Sequence, residues 1–548
     1  MIKNAGVNRV LNLLIVTCLS FIFVGYAYFL GENILDPGDG IKHFQIAKYS
    51  WYYPSLLVHH WGKPLFTILS SPFAQFGFNG MIFFNILLFV VCGVFILKIA
   101  QQLSLKYGWL AIVFCFSSPV FFKLVLSGLT EVLFAVIIII ALHLFLKRNF
   151  LWGCILLSFS IFARPESYIV IPWFILYLLI EKEFKYVFFL LTGPIIYSIG
   201  GYFYYNDIFW IITSRPYSAA RSTYGSGDLF HFIQNYKNIA GTVVSLLFLG
   251  GILFRLSISI KSKQVFSKTN LKWILLILFP IVSIIGVHSI YWWQGWGSLG
   301  LLRVTGTIVP LIALIALLAI NELQELFLKA WNEKYVVISL ISLGLILTIT
   351  TVQNLIVDQR MILSEHCLLD VASWYKKNYS KKKIYYMAPY FAYQANLDPF
   401  SDKSNEGHMK KFKDKESPSN NMEIGELILW EGQFSEIEGK LSKKTMFNDG
   451  KLKLLKSFYP EKTFKVWGKE YEVHVFQKTD EEQKKGYVEN KDVEAQNEIN
   501  EIIERIKQNE EWFSKVNLDA KKRGVSVDEM LEISAKYVIR NRAKKASY

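Results

Sequence analysis

A series of apolar stretches fills the first 355 residues and constrains this chain more than any other feature. A bilayer core about 30 Å thick needs roughly 20 apolar helical residues, because backbone polar groups in lipid must be satisfied within the segment. The sequence therefore predicts a polytopic α-helical membrane protein with about eleven spans. The predicted spans lie near residues 10–30, 79–98, 107–122, 128–146, 150–163, 166–180, 186–205, 240–258, 273–290, 304–320 and 335–355.

The remaining residues have a different composition. Residues 1–355 contain 24 Lys or Arg and 12 Asp or Glu, whereas residues 356–548 contain 35 and 32. We therefore predict three parts: a transmembrane domain over 1–355, a soluble α/β domain over 356–480 and a helical tail over 481–548. Within 356–480, strand-like runs begin near 383, 427 and 471, and the stretch 401–422 is predicted to be a flexible loop. Because the positive excess belongs to the membrane part, a nucleic-acid partner is not expected.

Basic residues are concentrated in alternate loops of the membrane part. The predicted inner loops carry 14 of them and the outer loops carry 9. Since Lys and Arg mark cytoplasmic loops, the N-terminus is predicted to be cytoplasmic. An odd number of spans then places residues 356–548 outside, so we expect a multi-pass protein of the inner (plasma) membrane with a periplasmic C-terminal domain.

The few carboxylates of the membrane part can be placed one by one. Five of the twelve face the cytoplasm beside lysines, and seven lie on the predicted outer side. Any acid–base or metal chemistry of this part is therefore expected to face outward. The seven outer acids are Glu32, Asp36, Asp39, Glu131, Glu166, Asp207 and Asp228.

The first outer loop has the most distinctive sequence. Asp36-Pro37-Gly38-Asp39-Gly40 predicts a tight turn that holds Asp39 at the membrane surface. Residues 41–48, which include His43, form an amphipathic stretch of the kind that makes an interfacial helix. A second apolar stretch, too short to span, begins at Lys63-Pro64-Leu65.

Two further outer positions have both a structural and a functional interpretation. Glu131 opens a span, where a carboxylate stabilises the helix N-terminus, or it takes part in chemistry. Arg164 and Glu166 lie at the junction of two short spans, where an unpaired charge is costly. They form a structural ion pair, or Arg164 binds an anionic ligand.

The outer loop 206–239 carries Arg215 and Arg221 among several tyrosines. Arginine matches phosphate oxygens in bidentate fashion. An aromatic belt at the membrane interface with scattered positive charge is the alternative interpretation. The same two interpretations apply to the aromatic run 291–296, which is followed by Arg303.

Taken in order, these motifs resemble the GT-C superfamily of polytopic glycosyltransferases, and most closely the branch of the protein O-mannosyltransferases and the lipid A aminoarabinose transferase. The matching positions are Asp39-Gly40, Ala47-Lys48, Lys63-Pro64-Leu65, Phe76-Gly77 and Glu131. Three positions depart from the pattern of that branch: its Asp-Glu pair is Asp39-Gly40 here, its double proline is single, and Glu131 replaces an Asp. The resemblance extends to about residue 205 and is topological beyond it.

The resemblance implies a hexosyl or pentosyl transferase that takes a sugar from a polyprenyl-phosphate donor to a glycan, lipid or protein acceptor on the outer face. Asp39 would be the general base, and Glu131 would orient the acceptor. The same two carboxylates are the predicted ligands of a divalent cation, Mg²⁺ or Mn²⁺. His43 and Glu166 are predicted as supporting residues. The candidate ligands of the donor phosphate are Lys63, Arg164, Arg215, Arg221 and Arg303.

Two other functions stay open at this point. A lipid or sugar transporter or flippase would be expected to show internal repeats and ionisable residues at mid-membrane, and neither is clear in the sequence. A non-catalytic scaffold with the same fold is favoured only by Gly40, where the second acid of the family pattern is missing.

Overall fold

The computed structural model describes residues 2–30, 34–214, 225–261, 267–296, 299–327, 332–354, 359–401, 404–466, 468–481, 502–523 and 525–545. It divides into two compact units. The first comprises Met1–Phe412, Glu426–Lys440 and Leu455–Phe476, and the second comprises Lys413–Gly425, Leu441–Leu454 and Gln477–Tyr548. The predicted domain boundaries at residues 355 and 480 stay predictions.

The first unit is mainly helical. Its α-helices are Ile2–Leu30, Asp39–Tyr49, Pro64–Ala74, Phe78–Gln102, Trp109–Ser117, Pro119–Val125, Glu131–Leu146, Phe150–Ser160, Ser167–Ile180, Thr192–Tyr205, Trp210–Thr213, His231–Gln234, Tyr236–Ile239, Thr242–Lys261, Lys268–Trp273, Phe279–Gln294, Val309–Phe327, Glu333–Asn354, Gln359–Tyr379, Pro389–Ala395 and Phe434–Ile437. Its 3-10 helices are Pro54–Val58, Phe184–Leu191, Leu302–Ile308 and His408–Lys411, and Ile274–Leu278 is a π-helical segment.

Seven helical segments within the described residues are long and apolar enough to cross a membrane. They are Asn12–Phe29, Phe78–Gln102, Phe184–Tyr205, Thr242–Lys261, Asn270–Gln294, Leu302–Glu325 and Glu333–Gln353. The predicted polytopic helical membrane protein is confirmed in this respect, while the number of eleven spans stays a prediction. In Leu302–Glu325, 94% of the residues of its apolar window are buried, so we call this segment the central helix of the bundle.

The span predicted over 107–122 is interrupted. Ser118 has an extended backbone, and it separates the helix Trp109–Ser117 from Pro119–Val125. Its hydroxyl accepts a hydrogen bond from Phe121 N at 3.2 Å, which caps the second helix. Proline has no N–H and disfavours the helical conformation of the residue before it, so Ser118-Pro119 ends one helix and begins the next.

The amphipathic stretch after Asp39 is a helix, Asp39–Tyr49, and its apolar side chains are buried. Phe44 packs edge to face against Tyr393, with ring centres 5.5 Å apart. Gln45 Nε2 donates to the carbonyl of Pro389 at 3.3 Å, and Lys42 pairs with Glu406 at 2.6 Å. Residues of the segment 389–406 are thus packed directly on the helix that carries Asp39.

The strands are β1 Ile384–Tyr386, β2 Ser404–Glu406, β3 Leu427–Glu431, β4 Leu452–Phe458, β5 Lys465–Val466, β6 Lys469–Glu470 and β7 Val473–Lys478. Five of them form a sheet with the order β2-β1-β3-β7-β4, and β5 pairs with β6 in antiparallel orientation. β1 pairs in parallel with both β2 and β3. The predicted runs near 383, 427 and 471 correspond to β1, β3 and β7. Residues 404–406 form the edge strand β2, so this part of the predicted flexible loop belongs to the sheet.

The second unit contains the tail. Its helices include Lys443–Asn448, Glu510–Arg523 and Val527–Lys545, and Pro418–Asn421 is a 3-10 helix. Ser526 Oγ accepts a hydrogen bond from Glu529 N at 3.1 Å, which caps the helix Val527–Lys545.

Candidate active site

Several helix ends bring charged side chains together in the first unit. Asp39 and Glu131 are the first residues of their helices, where a carboxylate is favoured by the helix dipole. Arg303 lies in the 3-10 turn that leads into the central helix. The charged residues of this cluster are Asp36, Asp39, Lys63, Glu131, Arg164, Glu166 and Arg303.

Arg303 binds carboxylates of the first outer loop. Its Nη1 is 2.6 Å from Asp36 Oδ2, and its Nη2 forms an ion pair with Asp39 Oδ2. Its Nε lies 3.7 Å from Glu131 Oε1. Burial raises the pKa of Asp36, and the nearby Asp39 charge adds to this effect. Burial also acts to raise the pKa of Asp39, but the Arg303 guanidinium outweighs it and holds that pKa below its usual value. Asp39 is therefore ionised at neutral pH.

Arg164 binds the other two acids. Its Nη2 and Nε contact the two oxygens of Glu166 at 2.6 and 3.0 Å, a bidentate pair. Its Nη1 is 2.7 Å from Glu131 Oε1 and donates to Thr130 Oγ1 at 3.0 Å. Every nitrogen of this guanidinium thus has a protein partner. This geometry favours the structural interpretation of Arg164, although its role as a phosphate ligand stays a prediction.

Glu131 links the two arginines. Its side chain is 1% exposed, and its Oε1 lies within ion-pair distance of both guanidinium groups. Neither of its oxygens accepts a well-directed hydrogen bond from the described residues. This carboxylate therefore keeps acceptor capacity for the hydroxyl group of a ligand.

Lys63 lies beside the arginine–carboxylate cluster and is buried. Its backbone is left-handed, with φ of 61°, and Pro64 begins the next helix directly after it. Burial lowers the pKa of Lys63 to about 8, and the charge of Arg164 adds to this effect while Glu166 opposes it. Lys63 still carries its charge at pH 7, within electrostatic range of the acids.

His43 is buried one turn after Asp39. Its ring stacks on Trp61, with centres 4.7 Å apart and planes 19° apart. Burial lowers the pKa of His43 to about 3, so the imidazole is neutral at physiological pH. Its Nδ1 has no hydrogen-bond partner among the described residues. It can accept or donate one hydrogen bond but supplies no charge.

Gly40 explains the departure from the family pattern at the second acid. A Cβ at this position would lie 2.3 Å from the carbonyl oxygen of Ser127, so the neighbouring backbone excludes a side chain. Asp36 is a second carboxylate beside Asp39, because both pair with Arg303. Its Oδ1 also accepts from Gly40 N at 2.9 Å, which fixes the turn.

The structure brings together most of the residues predicted from the sequence: Asp39, Lys63, Glu131, Arg164 and Glu166, with His43 adjacent. The predicted phosphate ligands Arg215 and Arg221 lie outside the described residues. Arg303 was predicted only as a phosphate ligand, and the structure pairs it with Asp36 and Asp39. His288 was missed; its Nε2 lies 3.7 Å from Glu166. An ionisable residue inside an apolar span was the signal that could have identified it.

The predicted cation site was tested on the donor set. Among the described residues, no group of three His, Cys, Asp or Glu side chains is placed to hold a metal ion. Asp39 and Glu131 both face Arg303, whose guanidinium supplies positive charge between them. Mg²⁺ is commonly held by one or two carboxylates together with substrate phosphates, so a cation at Asp39 and Glu131 stays a prediction.

Comparisons with known proteins place this geometry in a fold. No family model matches the chain, and no curated protein matches it in sequence. The crystal structure of ArnT from Cupriavidus metallidurans in the apo state is similar, with a TM-score of 0.54 and 10% identity, over 86% of this chain and 98% of that chain. The structure of the same protein bound to undecaprenyl phosphate has a TM-score of 0.49 and 10% identity, over 85% and 97%. At this identity the likeness concerns the fold alone: the chain has a fold similar to that of ArnT, which agrees with the fold that the sequence resemblance predicted.

Proposed function

We propose that the protein is a membrane glycosyltransferase that moves a sugar from a polyprenyl-phosphate donor to an acceptor on the periplasmic face of the inner membrane. One observation carries the proposal: within an ArnT-like fold, a guanidinium holds an ionised carboxylate that solvent can reach. The side chain of Asp39 is 42% exposed, whereas those of Glu131 and Glu166 are 1% and 4% exposed. Asp39 is thus the acid of the cluster that is most accessible to an acceptor.

Asp39 acts as the general base in this proposal. The acceptor O–H gives its proton to an Asp39 carboxylate oxygen while the acceptor oxygen forms a bond to the anomeric carbon of the sugar. A base in this role typically contributes about 10² to 10⁴-fold to the rate. Arg303 keeps the carboxylate ionised and fixes its direction. Glu131, with acceptor capacity left unused by the protein, orients the acceptor or the sugar through a hydroxyl group.

In this proposal Lys63 stabilises the leaving group. The bond between the anomeric carbon and the phosphate oxygen breaks, and the electron pair leaves with the polyprenyl phosphate. A buried ammonium beside the reaction centre stabilises the negative charge that develops there, because few water molecules screen it. Arg215 and Arg221 remain further candidates for contact with this phosphate.

The charged cluster also bears on the two alternatives left open by the sequence. The scaffold interpretation depended on the acid missing at Gly40, and Asp36 stands beside Asp39 in the position to supply a second carboxylate. The charged cluster lies at helix ends and in loops, which suits chemistry at the membrane surface more than a path through the bilayer.

The test is product analysis in cells. Envelope glycans, glycolipids and glycoproteins are compared by mass spectrometry in a deletion strain that carries the wild-type gene, the Asp39→Asn variant or no gene. We expect one sugar-modified product in the strain with the wild-type gene and no such product in the other two strains. Asp370→Asn is the matched control, because Asp370 is exposed on the helix Gln359–Tyr379, outside the cluster. Identical profiles for wild type and deletion would refute a transferase function in these cells.

A further inference from the structure

The turn 34–40, which carries Asp36 and Asp39, is contacted by two elements that follow the last of the seven apolar segments. One is the helix Gln359–Tyr379, and the other is the short helix Phe434–Ile437 directly after β3. Both belong to the same compact unit as the turn. The two contacts come from distant parts of the sequence, so together they restrain the turn at two points.

Glu365 holds the beginning of the turn. Its Oε2 accepts a hydrogen bond from the backbone N–H of Ile34 at 3.2 Å. Glu365 is only 2% exposed, and it lies on the helix face that carries the buried Leu368 and Ala372. Its Oε1 has no hydrogen-bond partner among the described residues. Burial of an acid at an apolar helix position is costly, and here the hydrogen bond to Ile34 offsets part of that cost.

The contact between Glu365 and Ile34 does not depend on charge. Burial raises the pKa of Glu365 to about 8; the Ile34 N–H opposes this effect, and the charge of Asp36 adds to it. At pH 7 the carboxyl group is therefore mostly protonated, and one of its oxygens still accepts from Ile34. Glutamine can reproduce this contact because it keeps a carbonyl oxygen, whereas leucine has no acceptor.

Phe434 supports the other end of the turn, next to Asp39. A Cβ at Gly38 would lie 3.2 Å from Phe434 Cζ, so the ring packs directly on the backbone there. Glu431 fixes the helix that carries this ring, because its buried carboxyl group accepts from the backbone N–H groups of residues 433–435 at 2.6–2.8 Å. The ring therefore limits the movement of the backbone that precedes Asp39.

We propose that Glu365 and Phe434 are positioning residues for Asp39. They restrain the two ends of the turn, so that Asp36 and Asp39 both reach Arg303. The region after the membrane segments thus completes the geometry of a site whose charged residues lie before it in the sequence. The catalytic consequence rests on the proposed function: a base displaced by about 1 Å can lose about 10²-fold in rate.

Carboxyl labelling of the purified full-length protein in detergent tests the positioning without sugar transfer. A water-soluble carbodiimide with glycine ethyl ester labels accessible carboxyl groups fastest when they are protonated, and peptide mass spectrometry follows the rate at Asp39 at pH 6. Release from the guanidinium should raise the pKa of Asp39 by about one unit or more and the labelling rate about tenfold. We expect this increase in Glu365→Leu and in Phe434→Leu, and the wild-type rate in Glu365→Gln.

Sugar transfer supplies the second measurement. In the two leucine variants kcat should fall about tenfold or more with a smaller change in KM, and the acid limb of its pH profile should move to higher pH. Arg303 and Arg164, which lower the pKa of Asp39, are present in every variant. A loss of stability alone would reduce the amount of active protein without moving this limb. If the wild type transfers no sugar, the proposed function fails, and the labelling still decides the positioning.

Phe458→Leu is the matched control. Phe458 is half-buried in the same unit, and its ring packs on Trp374, with centres 5.7 Å apart, rather than on the turn. Wild-type labelling of Asp39 in either leucine variant, once its melting curve shows a folded protein, would overturn the proposal. Equal labelling in Glu365→Gln and Glu365→Leu, or an increase of the same size in Phe458→Leu, would do the same. Phe434→Leu keeps an apolar side chain and decides the question if Glu365→Leu does not fold.

Discussion

The two arginines of the cluster hold carboxylates in different environments. Arg164 binds Glu131 and Glu166, which are almost completely buried, and its own nitrogens all have protein partners. Arg303 binds Asp36 and Asp39, whose side chains are 20% and 42% exposed. The same ion-pair chemistry thus occurs once in an enclosed setting and once in a recess that solvent reaches.

This difference assigns different work to the two arginines. A buried ion pair contributes little net stability compared with an apolar replacement, but loss of one partner leaves a costly buried charge. Arg164 therefore fixes the helix ends around Glu131. A carboxylate held by a guanidinium at the surface is oriented and ionised yet still reaches a substrate, which is what a general base requires. Substitutions at Arg303 and its acids should mainly lower the transfer rate, and substitutions at Arg164 and its acids should mainly lower the stability of the fold.

The largest effect is expected for Asp39→Asn. The change keeps the size of the side chain and removes the base, so the transfer rate should fall about 10² to 10⁴-fold. The melting temperature in detergent should change little, because Asp39 is the most exposed acid of the cluster. Activity within threefold of the wild type would move the base to another residue, and Asp36→Asn is the next variant to measure.

Arg164→Gln should instead destabilise the protein, by about 3–5 kcal/mol, because it leaves two buried carboxylates without their main partner. Thermal unfolding in detergent measures this loss. Lys507→Gln is the control, since Lys507 pairs with Glu504 and the two side chains are 44% and 63% exposed. An exposed pair is worth about 0–1 kcal/mol, so this control should unfold near the wild-type temperature.

A double variant separates the structural role of Arg164 from phosphate binding. Arg164→Gln/Glu166→Gln removes one positive and one negative charge together and should recover part of the stability. If Arg164 has no ligand role, donor binding recovers with stability. Restored stability with donor binding still lost would contradict the structural assignment and make Arg164 a phosphate ligand.

Gly40→Ala should have a smaller effect on stability and should disturb the acids that Arg303 binds. The new Cβ meets the Ser127 carbonyl, and overpacking of this kind costs about 1–3 kcal/mol. Because Gly40 follows Asp39 directly, activity should fall more than stability. Gly200→Ala is the control: Gly200 is also helical, has no atom within 4 Å of its Cβ position, and should be neutral or stabilising. An active, stable Gly40→Ala protein would show that the close contact does not hold Asp39.

The sequence was sufficient to predict the class of fold and most of the acids of the site. Hydropathy identifies spans, and twelve acids in 355 residues can be sorted by side, which isolates Asp39, Glu131 and Glu166. The strands were also predicted, since β1 and β3 are short apolar runs. Such inferences depend on local composition, which the sequence shows directly.

The partners of the charged residues could not be predicted in this way. Arg303 lies 264 residues from Asp39, and no local pattern relates the two. The interpretation of Gly40 as a missing acid was reasonable by motif, but the reason for glycine there is a contact with Ser127 across the fold. Likewise, the single span predicted over 107–122 overlooked the break at Ser118, because hydropathy does not report helix ends.

The smallest expected effect is the pH dependence of donor binding through Lys63. Its pKa of about 8 is below the usual value of lysine, so the ammonium loses its proton between pH 7 and 9. The phosphodiester of a polyprenyl-phosphate hexose stays charged over this range, and its affinity should therefore fall about tenfold. Lys63→Arg should remove this dependence, because arginine remains charged. The stability of the fold should change in the opposite direction. Between pH 8 and the normal lysine pKa, the folded state binds fewer protons than the unfolded state, so the contribution of Lys63 to the free energy of unfolding rises with pH.

Binding and stability that fell together would indicate a general loss of structure and would contradict a direct role for Lys63. Lys376→Arg, at an exposed lysine, should leave both pH profiles unchanged.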